Sequence, residues 1–183
     1  LNFYLSDRTG NGAGLDPNIA VKIGGFVAGT YWFLMLIGRL VSSLISGKVS
    51  ARTQLISVSS VALALLGGAI FSPSTTTVSM PVFTGSAFEM AVVPMSALLL
   101  VLCGLCTSVM WGTIFDLSVE GLGAATEKAS GILMAMVVGG GIVPLLQNFV
   151  ADKVSYMASY WVIFAGVAFI LYFAVIGSRV KKN

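Results

Sequence analysis

Five long apolar blocks, separated by short polar connectors, set the rhythm of this chain. They fall at about residues 19–46, 53–71, 91–115, 129–151 and 154–178, here called spans A to E. A helix crossing the hydrocarbon core of a bilayer needs about 20 mostly apolar residues, and each block reaches roughly that length. The pattern predicts an all-α, polytopic membrane protein with five transmembrane helices. Residues 1–6, "LNFYLS", read as the end of a further helix, and "DRTGNGAGLDPN" as a connector rich in glycine and turn formers. "SPSTTTVSMPVFTGS", between spans B and C, reads as an uncharged Ser/Thr/Pro loop. Five spans after a helix stump, with no initial methionine, lead us to expect the C-terminal part of a longer polypeptide.

Composition sharpens this picture. Hydrophobic residues make up 57% of the 183 and charged ones only 9%, with a mean hydropathy of +0.97. An ordinary soluble domain carries about a quarter charged residues. The net charge of +3 is scattered among connectors, so it does not form a patch that would bind nucleic acid. There is no histidine, which removes the usual metal ligand and imidazole proton switch. Without histidine, clustered carboxylates or a phosphate loop, no enzyme reading and no cofactor is supported. Cys103 and Cys106 form a CxxC in mid-span and read as small packing residues rather than a redox pair.

Lysine and arginine in short loops set orientation. Lys48 and Arg52 lie between spans A and B, Lys128 between C and D, and Arg179, Lys181 and Lys182 in the tail. Only Arg8, Lys22 and Lys153 lie on the other side. The balance places the C-terminus in the cytoplasm.

Polar groups inside spans are costly in lipid and point to function. Arg39 lies eight residues before Gly47, roughly 12 Å from the cytoplasmic end at about 1.5 Å per residue. Two readings stand: it snorkels to the headgroups, or it pairs with Asp116 or Glu120 at the same end. No carboxylate occupies the middle of a span, so a proton-binding acid would lie outside this chain. Tyr31 and Trp32 fall near the centre of span A, away from the interfacial belts where aromatics gather. Gln147 and Asn148 sit in span D, and Trp111 near the end of span C. A polar pocket edged by aromatic faces suits a sugar, whose hydroxyls need amide partners while its C–H faces pack on rings. Packing between helices accounts equally well for Tyr31 and Trp32, and interfacial anchoring for Trp111.

"MAMVVGGGIVPLLQNFVAD" in span D is apolar yet unfavourable for a rigid helix. Gly139, Gly140 and Gly141 ease close approach and bending. Pro144 has no N–H and leaves the Gly140 carbonyl without its helical partner. Such a site is tolerated where it is buried in protein or lines a wet cavity. Span D therefore reads as a pliable, cavity-lining helix, although glycines also serve as packing devices.

"YWFLMLIGRLVSS", "MWGTIFDLSVEGLG" and "SGILMAMVVGGGIVPLLQNFVAD" resemble the C-terminal half of the major facilitator superfamily. The branch they are most similar to is that of the fucose permeases and bacterial glucose/galactose transporters. The patterns at 113–123 and 130–152 carry most of the likeness, which extends over nearly the whole chain. The resemblance implies that spans A to E are helices eight to twelve of a 12-helix carrier, with residues 1–6 ending helix seven. It implies alternating access around a midplane site, a cytoplasmic C-terminus and a bacterial inner membrane. It further implies inward movement of a hexose or 6-deoxyhexose with a proton, or with sodium in some relatives. The substrate-binding set would be Tyr31, Trp32, Thr107, Trp111, Gln147 and Asn148, and the coupling carboxylates would belong to the missing N-terminal half. The gating set would be Gly38, Arg39, Lys48 and Arg52 with the span D glycines and Pro144. Two departures stand out. The superfamily's cytoplasmic loop signature keeps Lys48 and Arg52 but has Gly47 where an acid is expected. Thr107 and Gly112 replace the asparagine and proline common in relatives.

Two alternatives remain at this stage: a facilitator for another solute class such as drugs, and a non-transporting membrane subunit or receptor.

Overall fold

The computed structural model describes residues 17–73, 76–84 and 87–178. The expected helix end at 1–6, together with Arg8, Arg179, Lys181 and Lys182, lies outside them. The described elements run α1 (Pro17–Ile45), α2 (Ala51–Phe71), β1 (Thr77–Phe83), β2 (Phe88–Pro94) and α3 (Met95–Val119). A short 3-10 turn (Gly123–Ala125) leads into α4 (Thr126–Met136), α5 (Gly139–Lys153) and α6 (Tyr156–Tyr172), closed by a π turn at Phe173–Gly177. Among the described residues, five helical segments are long and apolar enough to cross a membrane, α4 and α5 together forming the fourth. The protein is an all-α polytopic membrane protein.

Local chemistry sets the boundaries. Ser50 caps α2 by accepting from the Thr53 N–H at 3.2 Å, and Ser155 caps α6 by accepting from Ala158 N–H at 3.1 Å. Each cap satisfies one of the free amides of a helix N-terminus. Beyond α3, Gly121 takes φ +78°, a left-handed stop that other residues resist.

Two expectations are corrected here. The stretch between spans B and C is an antiparallel hairpin, in register from Thr77↔Pro94 to Phe83↔Phe88. Residues 91–94, read as the start of span C, belong to strand β2, and α3 begins at Met95. Val78, Met80 and Val82 alternate with Thr77, Ser79 and Pro81, and Met80 and Val82 are buried while those three are exposed. That is the period of a half-buried strand. Pro81 is tolerated because a two-stranded hairpin has only edge strands.

Two apolar clusters hold the molecule. One joins α2, α3 and α6 through Leu55, Leu66, Cys103, Cys106, Met110 and Val167; both cysteines are free and buried. The other seats the hairpin on α1 and α3 through Val27, Met80, Val82, Val93, Ala97 and Val101. Thr30 pins the hairpin, donating to Phe26 O at 2.8 Å and accepting from Phe83 N–H at 2.7 Å. Phe33, Phe83 and Phe88 complete this contact, with ring centroids 5.4 Å apart for each pair.

Span D is not one helix. α4 stops at Met136, Val137 and Val138 form a turn, and α5 starts at Gly139. Gly140 and Gly141 donate to carbonyls three residues back, Val137 O at 2.8 Å and Val138 O at 2.9 Å. The break thus precedes the glycines, and Pro144 lies inside α5. No residue of α4 or α5 is buried.

Candidate functional site

The site begins with a close approach of two helices. A Cβ at Gly104 would lie 2.8 Å from Tyr31 O, and one at Gly38 would meet Ser108 Oγ and stand 2.7 Å from Leu105 O. Glycine at both positions lets the α1 and α3 backbones touch, the usual role of small residues between membrane helices. Gly38 is therefore a packing residue of the α1–α3 seam.

That approach brings the Tyr31 hydroxyl within 2.9 Å of Thr107 Oγ1. Thr107 Oγ1 also lies 3.1 Å from Cys103 O; when its proton goes to that carbonyl, Tyr31 donates between the two hydroxyls. The Tyr31 oxygen then keeps its lone pairs for a further partner. Tyr31 and Thr107 line a cavity of about 360 Å³ that α5 enters through Gln147 and α6 through Tyr160. The volume falls in the range of small-molecule sites. Its wall combines apolar surface with a phenol acceptor and an amide that both donates and accepts, suited to a hydroxylated solute.

The remaining predicted site residues are not brought there. Trp32 is 67% exposed and points away from the cavity, meeting Tyr31 edge-on at 6.2 Å between ring centroids. Asn148 is exposed and does not line the cavity. Trp111, 43% exposed, lines a separate polar cavity of about 350 Å³ with Arg39, Ser46, Thr113 and Asp116. Arg39 and Asp116 thus face the same space, and no ion pair closes between them among the described residues. Glu120, at the end of α3, does not line that cavity.

Arg52 has a specific set of contacts. Its Nε donates to Ala174 O at 2.9 Å and its Nη2 to Val175 O at 2.6 Å. These carbonyls lie in the π turn at the end of α6, so Arg52 ties the start of α2 to the last helix. A planar guanidinium can serve both carbonyls, which a lysine ammonium does less well. At Gly139, Gly140 and Gly141 an added Cβ would meet nothing within 4 Å, so these glycines pack against no neighbour among the described residues.

Two residues escaped the sequence reading. Gln54 is buried, accepts from Ser42 Oγ at 3.0 Å and donates to Val49 O at 2.9 Å, latching α1 to α2. The test that singled out Gln147, an amide inside a span, applies equally to Gln54. Tyr160 had no such signal, because an aromatic near a helix start is common at membrane interfaces.

With this geometry established, the chain proves homologous to named bacterial sugar transporters. It is 41% identical over 76 residues to the glucose/galactose transporter of Brucella abortus biovar 1 (strain 9-941), covering 42% of this chain and 18% of that protein. A provisionally named glucose/galactose transporter of Helicobacter pylori (strain ATCC 700392 / 26695) is 29% identical over 164 residues, 84% of this chain and 34% of that protein. The L-fucose-proton symporter of Escherichia coli (strain K12) is 38% identical over 53 residues, 29% of this chain and 12% of that protein. The chain spans about a third or less of the length of these curated relatives. No family model matches it, and no solved structure does.

Proposed function

We propose that this chain is the C-terminal part of a major facilitator carrier that moves a hexose or 6-deoxyhexose by alternating access. The observation that carries the reading is the convergence of Tyr31, Thr107 and Gln147 on one cavity at the α1–α3 seam. The names of the relatives, two glucose/galactose transporters and a fucose-proton symporter, support a sugar as the solute. Tyr31 and Gln147 hydrogen-bond the sugar, and Thr107 holds the phenol in place. Spans A to E are helices eight to twelve, in a bacterial inner membrane with the C-terminus cytoplasmic. A proton is the coupling ion, with sodium the alternative, and the carboxylate that binds it belongs to the N-terminal half. Arg39 and Asp116 form a cytoplasmic couple that closes and opens during the cycle, and the turn before Gly139 is where span D bends.

Uptake of labelled glucose, galactose and fucose by cells expressing the carrier tests this reading. Loss of one hydrogen-bonding group weakens a solute by about 0.5–1.5 kcal/mol, so Gln147→Ala and Tyr31→Phe should each raise the apparent KM by roughly two- to tenfold. Unchanged KM values in both variants would remove this cavity from the sugar site.

A further inference from the structure

α1 and α2 each pack along α3 but scarcely touch one another. Between them runs an apolar groove of about 780 Å³, walled by Val41, Ile45, Val61 and Leu65 and floored by Leu105 and Val109 of α3. Its only amide, Gln54, is already paired with Ser42 and the Val49 carbonyl. Ser57 of α2 is the other hydroxyl on the wall besides Ser42, and the rest of the lining asks for hydrocarbon. The hairpin covers the N-terminal half of this flank of α1 through Val27 and Thr30. Ile37 lies two turns beyond Thr30 on the same face, and from there to Ile45 the flank is open. Val41 and Val61 remain about half exposed at 49% and 51%.

The open end of the groove finishes at the Ser46–Val49 turn. Arg52 beside that turn is committed to the Ala174 and Val175 carbonyls. Lys48 lies in the turn itself, next to the groove-lining Val49, and no acid pairs with it among the described residues. A hydrocarbon slot within two membrane-spanning helices, ending at a cation level with the helix ends, matches one chemistry.

We infer that this groove is a binding site for an anionic phospholipid, with an acyl chain lying between α1 and α2 and the phosphate held at Lys48. The lipid covers the part of α1 that the hairpin leaves bare. This site is separate from the sugar cavity and does not depend on the solute carried.

The test is lipid retention by the intact carrier, measured by native mass spectrometry after detergent exchange and addition of phosphatidylglycerol or phosphatidylcholine. The wild-type carrier should retain phosphatidylglycerol in preference to phosphatidylcholine. Lys48→Glu should lower phosphatidylglycerol retention about fivefold or more, since one basic residue near an anionic headgroup changes affinity by about that factor. Val61→Trp, which fills the slot from an exposed position, should abolish retention while Lys48 is intact. Equal retention of the two lipids by wild type would overturn the headgroup assignment. Undiminished phosphatidylglycerol retention in Val61→Trp would overturn the groove.

Discussion

Gly38 and Gly104 matter for what they lack. Any side chain at either position must displace backbone atoms of the facing helix, and overpacking of this kind costs about 1–3 kcal/mol. Gly38→Val should therefore lower the melting temperature of the purified protein and the amount of inserted protein. Gly140→Val meets open space and should leave inserted protein unchanged. Arg52 is the opposite case, a residue defined by what it reaches. Hydrogen bonds from a charged donor contribute about 1.5–3 kcal/mol, so Arg52→Ala should destabilise the α6 end by about 2 kcal/mol. Limited proteolysis of the C-terminal segment should read this as faster cleavage, with Arg52→Lys only partly protective. Ser59 presents a third situation. Its hydroxyl is fully buried and finds no hydrogen-bond partner among the described residues, so Ser59→Ala should be neutral or raise the melting temperature.

At the scale of elements, the division of span D is the feature with most consequence. A turn at Val137–Val138, followed by three glycines and then Pro144, concentrates weak backbone restraint within two turns. Valine on its own does not break a helix. The tightened turn is tolerated because glycine at the start of α5 gains little from helical order and Pro144 removes one backbone bond from its second turn. If this weak point flexes in the proposed transport cycle, Gly140→Leu should slow sugar uptake severalfold while the inserted protein stays constant. Uptake at the wild-type rate would reduce the turn to a static irregularity. The hairpin has a different logic. A two-stranded hairpin is marginally stable on its own in water; α1 and α3 provide the apolar face, and α1 the Thr30 hydroxyl that receives Phe83 N–H.

At the scale of the whole molecule, packing is uneven. α1, α2, α3, α6 and the hairpin share two clusters, whereas α4 and α5 bury nothing. Gln147 still reaches the cavity lined by Tyr31 and Thr107, so the least packed span supplies the amide of the site. A site assembled from one fixed wall and one loosely held wall is what the proposed carrier would need to open and close around a solute. The Arg39–Asp116 cavity lies between α1 and α3, so its charges should respond to the same rearrangement. Arg39→Ala and Asp116→Ala, made singly and together, should be non-additive in uptake by more than about 0.5 kcal/mol. Full additivity would mean the two charges act independently.

The sequence alone determined where the membrane helices lie and that the protein is polytopic. Hydrocarbon forces each spanning segment to satisfy its own backbone, so apolar length is a local signal readable residue by residue. It also singled out Tyr31 and Gln147, with Trp32, Trp111 and Asn148, as aromatic and polar groups inside spans, while Thr107 came only from the family resemblance. What only the tertiary structure decided depends on segments far apart in the chain. The alternation of Val78, Met80 and Val82 was present in the sequence, but serine, threonine and proline hid it until α1 offered a surface to bury it. Trp32 and Tyr31 are neighbours of similar chemistry, yet about 100° of helical rotation separates a residue facing the cavity from one facing away. Arg52 looked like part of a loop signature, and its partners lie more than 120 residues further on. Helix formation is settled by nearest neighbours, whereas the face each helix turns inward is settled by which distant surface packs against it.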